Sequence, residues 1–209
     1  MSVALNHVVP DGYAVHGHAI VSADDFIAGP DGLTPPELRN EADWERFQAA
    51  LDAAVVTVLG RIGHEANPNQ RRRRRLVLTS RVAALEPGEH CHFWNPAGLP
   101  LAAALAAVAP GGGIIAVPGG QPVFDLFLAI GYDAFHLARA ETVRLGAGTR
   151  LFSGLGPGLT AVDRLAGAGL SVAATQTLDS AAGVTLTVWR RPPGITAPGR
   201  DRVQAAGRR

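Results

Sequence analysis

Over the first two thirds of the chain, apolar residues gather in short continuous runs. Residues 55–59, 76–80 and 114–117 are the clearest of these. Runs of that length suit strands buried on both faces of a parallel sheet. Residues 14–23, carrying Val15, Ile20 and Val21, predict a strand ahead of them, followed by a turn-rich stretch over 24–32. Between the strands the spacing turns helical. Pro35 and Pro36 precede an acidic start at Glu41 and Asp43, and Trp44, Phe47 and Leu51 then recur on one face. Residues 99–109 predict an alanine-rich helix closed by Pro110 and three glycines, and 123–130 a helix stopped by Gly131.

The last third reads differently. Residues 134–138 and 142–145 predict short strands, with a glycine loop at 146–148. Residues 159–165 predict a short helix, and 170–178 with 184–190 a hairpin. This order gives an α/β fold: a mostly parallel central sheet with helices on both faces and an antiparallel C-terminal hairpin. Residues 1–13 are expected to form a flexible arm, 14–191 one domain, and 192–209 a disordered tail rich in proline, glycine and arginine.

Composition narrows the chemistry. The 209 residues are 47% hydrophobic, enough for a real core. All 19 basic residues are arginine, so neither lysine Schiff-base chemistry nor a P-loop lysine is available. They nearly balance 18 acidic residues, which predicts no nucleic-acid partner. The single cysteine, Cys91, can form neither an internal disulfide nor a multi-cysteine zinc site. No leader pattern opens the sequence, and its longest apolar stretch is about half a membrane span, so a soluble cytoplasmic protein with no membrane partner is expected.

Three predicted strands end in glycine or small polar residues: Gly60-Arg61, Thr79-Ser80-Arg81, and Val117-Pro118-Gly119-Gly120. Ligands of parallel α/β sheets sit beyond such carboxyl ends, where glycine lets backbone amides approach a phosphate and arginine adds bidentate contacts. Any one of these signals is an ordinary turn; the three together point to a phosphate-bearing ligand. No G-x-G-x-x-G follows the first strand, which argues against an ordinary Rossmann domain.

Taken in order, the segments resemble the dihydrofolate reductase superfamily, and most closely the reductase domain of the bifunctional riboflavin-biosynthesis deaminase-reductases. Ser22-Ala23-Asp24-Asp25-Phe26-Ile27-Ala28 is similar to the family's S-x-D-G-Y/F-I-A, with Asp25 in the place of glycine. Asp43 to Phe47 resembles D-x-x-x-F of the substrate-facing helix. Gly60-Arg61 with Glu65 is similar to G-R-x-T-x-E, with Gly63 replacing threonine. Leu78-Thr79-Ser80-Arg81 resembles the strand end that holds the adenosine ribose phosphate. Gly119-Gly120-Gln121-Pro122-Val123-Phe124 matches the G-G-x-x-V/I-Y/F turn, and Gly146 to Phe152 resembles the G-G-G-x-x-L-F loop. The likeness runs from Ala14 to Arg190.

The resemblance implies an NADPH-dependent oxidoreductase. Gly60, Arg61 and Gly63 would face the cofactor's phosphates, and Thr79, Ser80 and Arg81 its 2′-phosphate. Val117, Gly119, Gly120, Gln121, Pro122 and Val123 would form the cofactor-binding turn, with unusual peptide geometry at the double glycine. Ala19 and Ile20 would line the nicotinamide side. Trp44 and Phe47 would contact a small-molecule substrate, and Asp43 would act in catalysis. The substrate implied is a pyrimidine- or pterin-like heterocycle reduced at C=N or C=O. No H-x-E with P-C-x-x-C is present, which excludes the bifunctional enzyme. A catalytically inactive nucleotide- or metabolite-binding protein that keeps the fold is the alternative, favoured by Asp25 and Gly63. A homodimer through the hairpin edge, with Val184, Leu186 and Val188 at the contact, is expected.

Other features have plainer readings. Arg71 to Arg75 is expected to be a solvated loop near the adenosine phosphate. His90-Cys91-His92 reads as an edge strand. His16 and His18 share a strand face and are expected to pack or line a pocket, with no metal site. Asp43 and Trp44 also suit a helix start and a core position.

Overall fold

The apolar runs become the middle of a nine-stranded sheet in the computed structural model, which describes residues 7–200. In chain order the strands are β1 (Tyr13–Ser22), β2 (Phe26–Ala28), β3 (Val56–Gly60), β4 (Arg75–Leu78), β5 (Leu85–Gly88), β6 (Cys91–Trp94), β7 (Gly113–Gly119), β8 (Ala134–Ala140), β9 (Thr149–Arg150), β10 (Ser171–Asp179) and β11 (Val184–Arg190). The helices are α1 (Glu41–Ala53), α2 (Arg61–Ala66), α3 (Leu101–Val108), α4 (Gln121–Ile130) and α5 (Ala161–Gly167). The sheet order is β10-β11-β8-β1-β7-β3-β4-β6-β5, and β2 pairs separately with β9. Pairing is parallel from β8 across to β6 and antiparallel at both margins. The fold class expected from the sequence is the one observed.

Alternation along the strands divides the two faces. Val15 and Val21 of β1 and Phe135 of β8 face the main core, which α3, α4 and α5 cover with Leu101, Leu105, Phe124, Phe127 and Leu165. Phe124, Phe135 and Phe152 pack with ring centroids 5.8–6.2 Å apart. The opposite face carries His16 and His18 of β1 and smaller apolar clusters around Leu38 with Val184, and Leu59 with Val77. α1 packs against β7 and β10. Asn40 caps it by accepting the Asp43 N–H at 3.1 Å, and Thr160 forms a capping box with Asp163 on α5.

Several expectations are corrected. Residues 142–145 form no strand: the Leu145 and Gly146 N–H groups donate to the Asp24 carboxylate at 3.2 and 2.9 Å, so their hydrogen bonds go to a side chain instead of a ladder. β6 is not an edge, because β5 lies outside it, and His90 sits in the intervening turn with φ +55°. Arg71 to Arg74 form the exposed loop expected, tethered at two points, and only Arg75 departs from it. Arg71 pairs with Asp52 of α1, Arg73 reaches the same carboxylate at 2.7 Å, and Arg75 is buried at the start of β4, donating to the Asn67 carbonyl at 2.7 Å.

The chain ends are tied down as far as they are described. Val9 is buried, and the Tyr13 hydroxyl donates to the Ala109 carbonyl. Within the expected tail, Ala197 is buried, the Gly199 N–H donates to the Ile130 carbonyl at 2.7 Å, and Arg200 pairs with Asp133 at 3.1 Å. The rest of the expected arm and tail, 1–6 and 201–209, lies outside the described residues. Val184 and Leu186 are buried within the protomer, so β10, with seven successive exposed residues, presents the open edge instead. Among the described residues no helix is long and apolar enough to cross a membrane.

Candidate functional site

Neighbouring strands bring the three strand ends together, two bearing glycine and one Thr79-Ser80-Arg81. Leu59 of β3 is opposite Gly119 of β7, and Gly60 is opposite Leu78 of β4. The double glycine turns the chain from β7 into α4 with two positive φ values, +113° at Gly119 and +72° at Gly120. Its unusual geometry lies in these torsions, since no peptide bond among the described residues is cis. The two glycines are needed for different reasons. A Cβ on Gly119 would stand 2.4 Å from the Phe124 ring, whereas one on Gly120 would point into open space, 4.0 Å from its nearest neighbour.

The Gln121 side chain donates to the Arg150 carbonyl at 3.0 Å and ties the start of α4 to the β9 segment. Pro122 occupies the first turn, where its missing N–H costs nothing. Val117 and Val123 are fully buried and present no surface to a ligand. Gly120 is exposed at the N-terminus of α4, an arrangement that favours an anion.

The cations at these strand ends are not equivalent. Arg61 donates to both oxygens of Glu65 at 2.6 and 2.7 Å, so its charge is engaged within α2. Arg81 is exposed and, among the described residues, no ion pair holds it; its backbone N–H donates to the Thr79 hydroxyl at 3.2 Å. Ser80 is exposed beside it, and Gly63 lies half-buried in α2. Ala19 and Ile20 do not line one surface. As successive strand residues they point to opposite faces, Ala19 to the main core and Ile20 to the cluster around Leu38.

A second polar group of residues lies where α1 covers the sheet. Asp43, Arg46 and Phe47 share one face of the helix by i, i+3, i+4 spacing. Asp43 is 7% exposed and accepts from Arg46 at 2.9 Å. Burial raises its pKa against the opposing pull of Arg46. The Phe47 ring lies 6.2 Å from His18, which stacks on His136 at 4.6 Å and 7°. Burial also drives the imidazole pKa values down, to about 2 for His18 and about 4 for His136. Asp43 and Phe47 are thus brought together as expected. Trp44 is 54% exposed and lines a shallow 290 Å³ cavity with Gln48, Asp52 and Arg71, touching the group only through Phe47 at 5.8 Å.

Asp25, which stands where the resembled motif has glycine, is no defect. It adopts φ +66°, is buried, pairs with Arg139 at 2.6 Å and accepts the Ala161 N–H at 2.9 Å. Sequence reasoning missed Arg46, His136 and Arg139. The first lay three residues from Asp43 and was findable by helical spacing; the other two are strand residues whose partners are remote in sequence.

Comparison with solved structures then places the architecture. Dihydrofolate reductase from Enterococcus faecalis, complexed with NADP(H) and RAB-propyl, matches with a TM-score of 0.58 at 17% identity, over 85% of this chain and 96% of that one. The fold is that of dihydrofolate reductase. A diaminohydroxyphosphoribosylaminopyrimidine deaminase/5-amino-6-(5-phosphoribosylamino)uracil reductase from Thermotoga maritima matches at 0.57 and 15% identity, over 86% of this chain but only 57% of its own length. A putative riboflavin biosynthesis protein from a Shewanella species matches at 0.56 and 20% identity, over 86% and 99%. No family model matches the sequence, and no curated protein matches it. Within the dihydrofolate reductase-like fold, the double-glycine turn lies at the carboxyl end of the parallel strand β7, and α1 packs over the same strand.

Proposed function

We propose that the protein is an NADPH-dependent reductase of a small heterocycle, pyrimidine- or pterin-like, acting on a C=N or C=O bond. The observation that carries this reading is the Gly120 turn, which is open on its ligand side, has positive φ and leads directly into the ten-residue helix α4. The residues present fit a dinucleotide: Gly120 leaves room for a pyrophosphate, and Thr79, Ser80 and Arg81 offer hydroxyls and a guanidinium to a 2′-phosphate. When bound, the cofactor would supply the hydride.

The chain's own part is orientation and a proton. Asp43 holds a carboxyl whose burial favours the protonated form, on the face of α1 shared with Phe47. It is placed to protonate the nitrogen or oxygen left negative by hydride addition, help worth roughly 10²–10⁴-fold. Arg46 opposes this by favouring the carboxylate, and so sets how much of the acid form survives at neutral pH. Asp43→Asn is expected to cut turnover at least about tenfold and to remove a pH dependence from the rate, with NADPH affinity nearly unchanged. Full activity with an unchanged pH profile returns Asp43 to a helix-start role.

The second reading, a binding protein without turnover, draws on the Arg61–Glu65 pair and on Gly63, which together withhold one cation and one hydroxyl from the phosphates. NADPH titration separates both readings from a protein without a nucleotide site, and NADPH oxidation with candidate heterocycles separates them from each other.

A further inference from the structure

We infer that His16, His18 and His136 form a three-histidine site for a divalent transition metal, with one coordination position left open. His16 and His18 are two residues apart on β1 and therefore project from the same face, and His136 of β8 is the register partner of His18. Their ligand atoms all lie within 4.8 Å of one another. Four-coordinate zinc with bonds of about 2.0–2.1 Å needs nitrogens about 3.3 Å apart, so loading the site requires the His18 and His136 rings, stacked at 4.6 Å and 7°, to turn out of their stack and aim at one point. The residues opposite His16 on the two neighbouring strands are Ala116 and Ala134, so no bulky side chain stands beside it in the sheet.

A second, independent observation points to a ligand. His18 is 3% exposed, and its Nδ1 is buried with no hydrogen-bond partner. A buried polar atom left unpaired is costly, and a metal ion would satisfy it. Imidazole ligands suit zinc, copper, nickel and iron over calcium and magnesium. His16 and His136 are partly exposed, which gives an ion a way in. The surrounding charges select the fourth ligand. Arg46 acts on His18 and His136, Arg190 on His16 and His136, and Asp133 on His16, while Asp43 holds Arg46. Arg46 is already engaged by Asp43, which leaves Arg190 to oppose the ion's own charge and so to favour an anionic oxygen in the open position, either hydroxide or an oxyanion of a bound small molecule. This assignment does not depend on the reductase reading.

The test uses the full chain, stripped with a chelator and titrated with zinc chloride by calorimetry. One equivalent is expected to bind with micromolar or tighter affinity, and His18→Ala and His136→Ala are each expected to weaken it by roughly 100-fold. A Cys91→Ser/His92→Ala double variant, which removes the neighbouring thiol and imidazole on β6, is expected to bind as the parent does. Cobalt(II) added to the unmutated protein is expected to give the intense visible absorption of a four-coordinate site, a readout that does not depend on the variants folding. The assignment is overturned if the parent takes up no zinc and gives no such cobalt spectrum. It is equally overturned if folded His18→Ala and His136→Ala bind zinc like the parent, or if the Cys91/His92 variant alone loses it. NADPH titration of the stripped protein reads the reductase proposal separately.

Discussion

Two regions at the carboxyl ends of the same parallel strands handle their charges in opposite ways. After β1, Asp24 and Asp25 are consumed internally. Asp24 accepts two backbone N–H groups from the segment after β8, and Asp25 closes on Arg139 and on the start of α5. After β3, β4 and β7 the chain presents glycines, exposed hydroxyls and Arg81 without an ion pair. Motif likeness alone gave both regions the same standing. The contrast shows that a charged residue in a ligand-binding fold is available to a ligand only if the protein has not already neutralised it.

The sharpest way to break this comparison is Asp25→Ala. Arg139, 17% exposed at its side chain, would be left as a buried unpaired cation. A loss of about 3–5 kcal/mol in denaturant unfolding is expected, and a loss under about 1 kcal/mol would mean the clasp is not structural.

Acid is expected to act at least as strongly, through the histidines under α1. His18 and His136 have folded pKa values depressed to about 2 and about 4, against an ordinary 6.5. Below 6.5 the unfolded chain takes up protons that the folded one refuses, so stability is full above pH 6.5 and is lost as pH falls towards 4. The slope is up to about 1.4 kcal/mol per pH unit for each residue. Asp43, with its pKa raised, works in the opposite sense but is one group against two. Chelator-treated protein should show a denaturation midpoint that drops between pH 6.5 and 4, with a shallower slope in His136→Asn; a flat midpoint contradicts this.

The two glycines of the turn test the open region from within. Gly119→Ala drives a methyl into Phe124 and is expected to lower the melting temperature. Gly120→Ala meets no protein atom and is expected to weaken NADPH binding about tenfold or more, with a smaller thermal cost from its positive φ. Equal thermal losses with unchanged affinity would make the turn structural throughout. The smallest effect is expected to separate the two arginines. Arg81→Ala should narrow an NADPH-over-NADH preference by about tenfold, while Arg61→Ala, removing a cation that Glu65 already holds, should narrow it less. The reverse ranking, at fixed salt, would show that Glu65 releases Arg61 to the ligand.

Most of the sheet was legible for a physical reason. Strands buried on both faces need uninterrupted apolar residues, so β3 and β7 stand out, and α1 shows its period because only one face is covered. β5, with Pro87 and Gly88, and the two-residue β9 carry no such pattern. The candidate site was legible where it rests on glycine and on local spacing, as at Gly119-Gly120 and at Asp43 with Phe47. It was not legible where it rests on pairing across the sheet. Asp25 and Arg139 are 114 residues apart, and His18 meets His136 only because β1 and β8 are neighbours.

The exposed row of β10 bears on how the molecule behaves in a crowded solution. Ser171 to Thr177 carries no charge and no proline, the devices that keep a sheet margin from recruiting strangers. A margin so unguarded is an invitation to endless side-by-side growth unless something caps it. Two copies joined about a twofold axis through β10 would cap both margins at once and stop, whereas any head-to-tail union would leave one free. Light scattering at micromolar concentration should therefore find a closed pair, and a lone protomer that stays soluble would show that the row needs no guard.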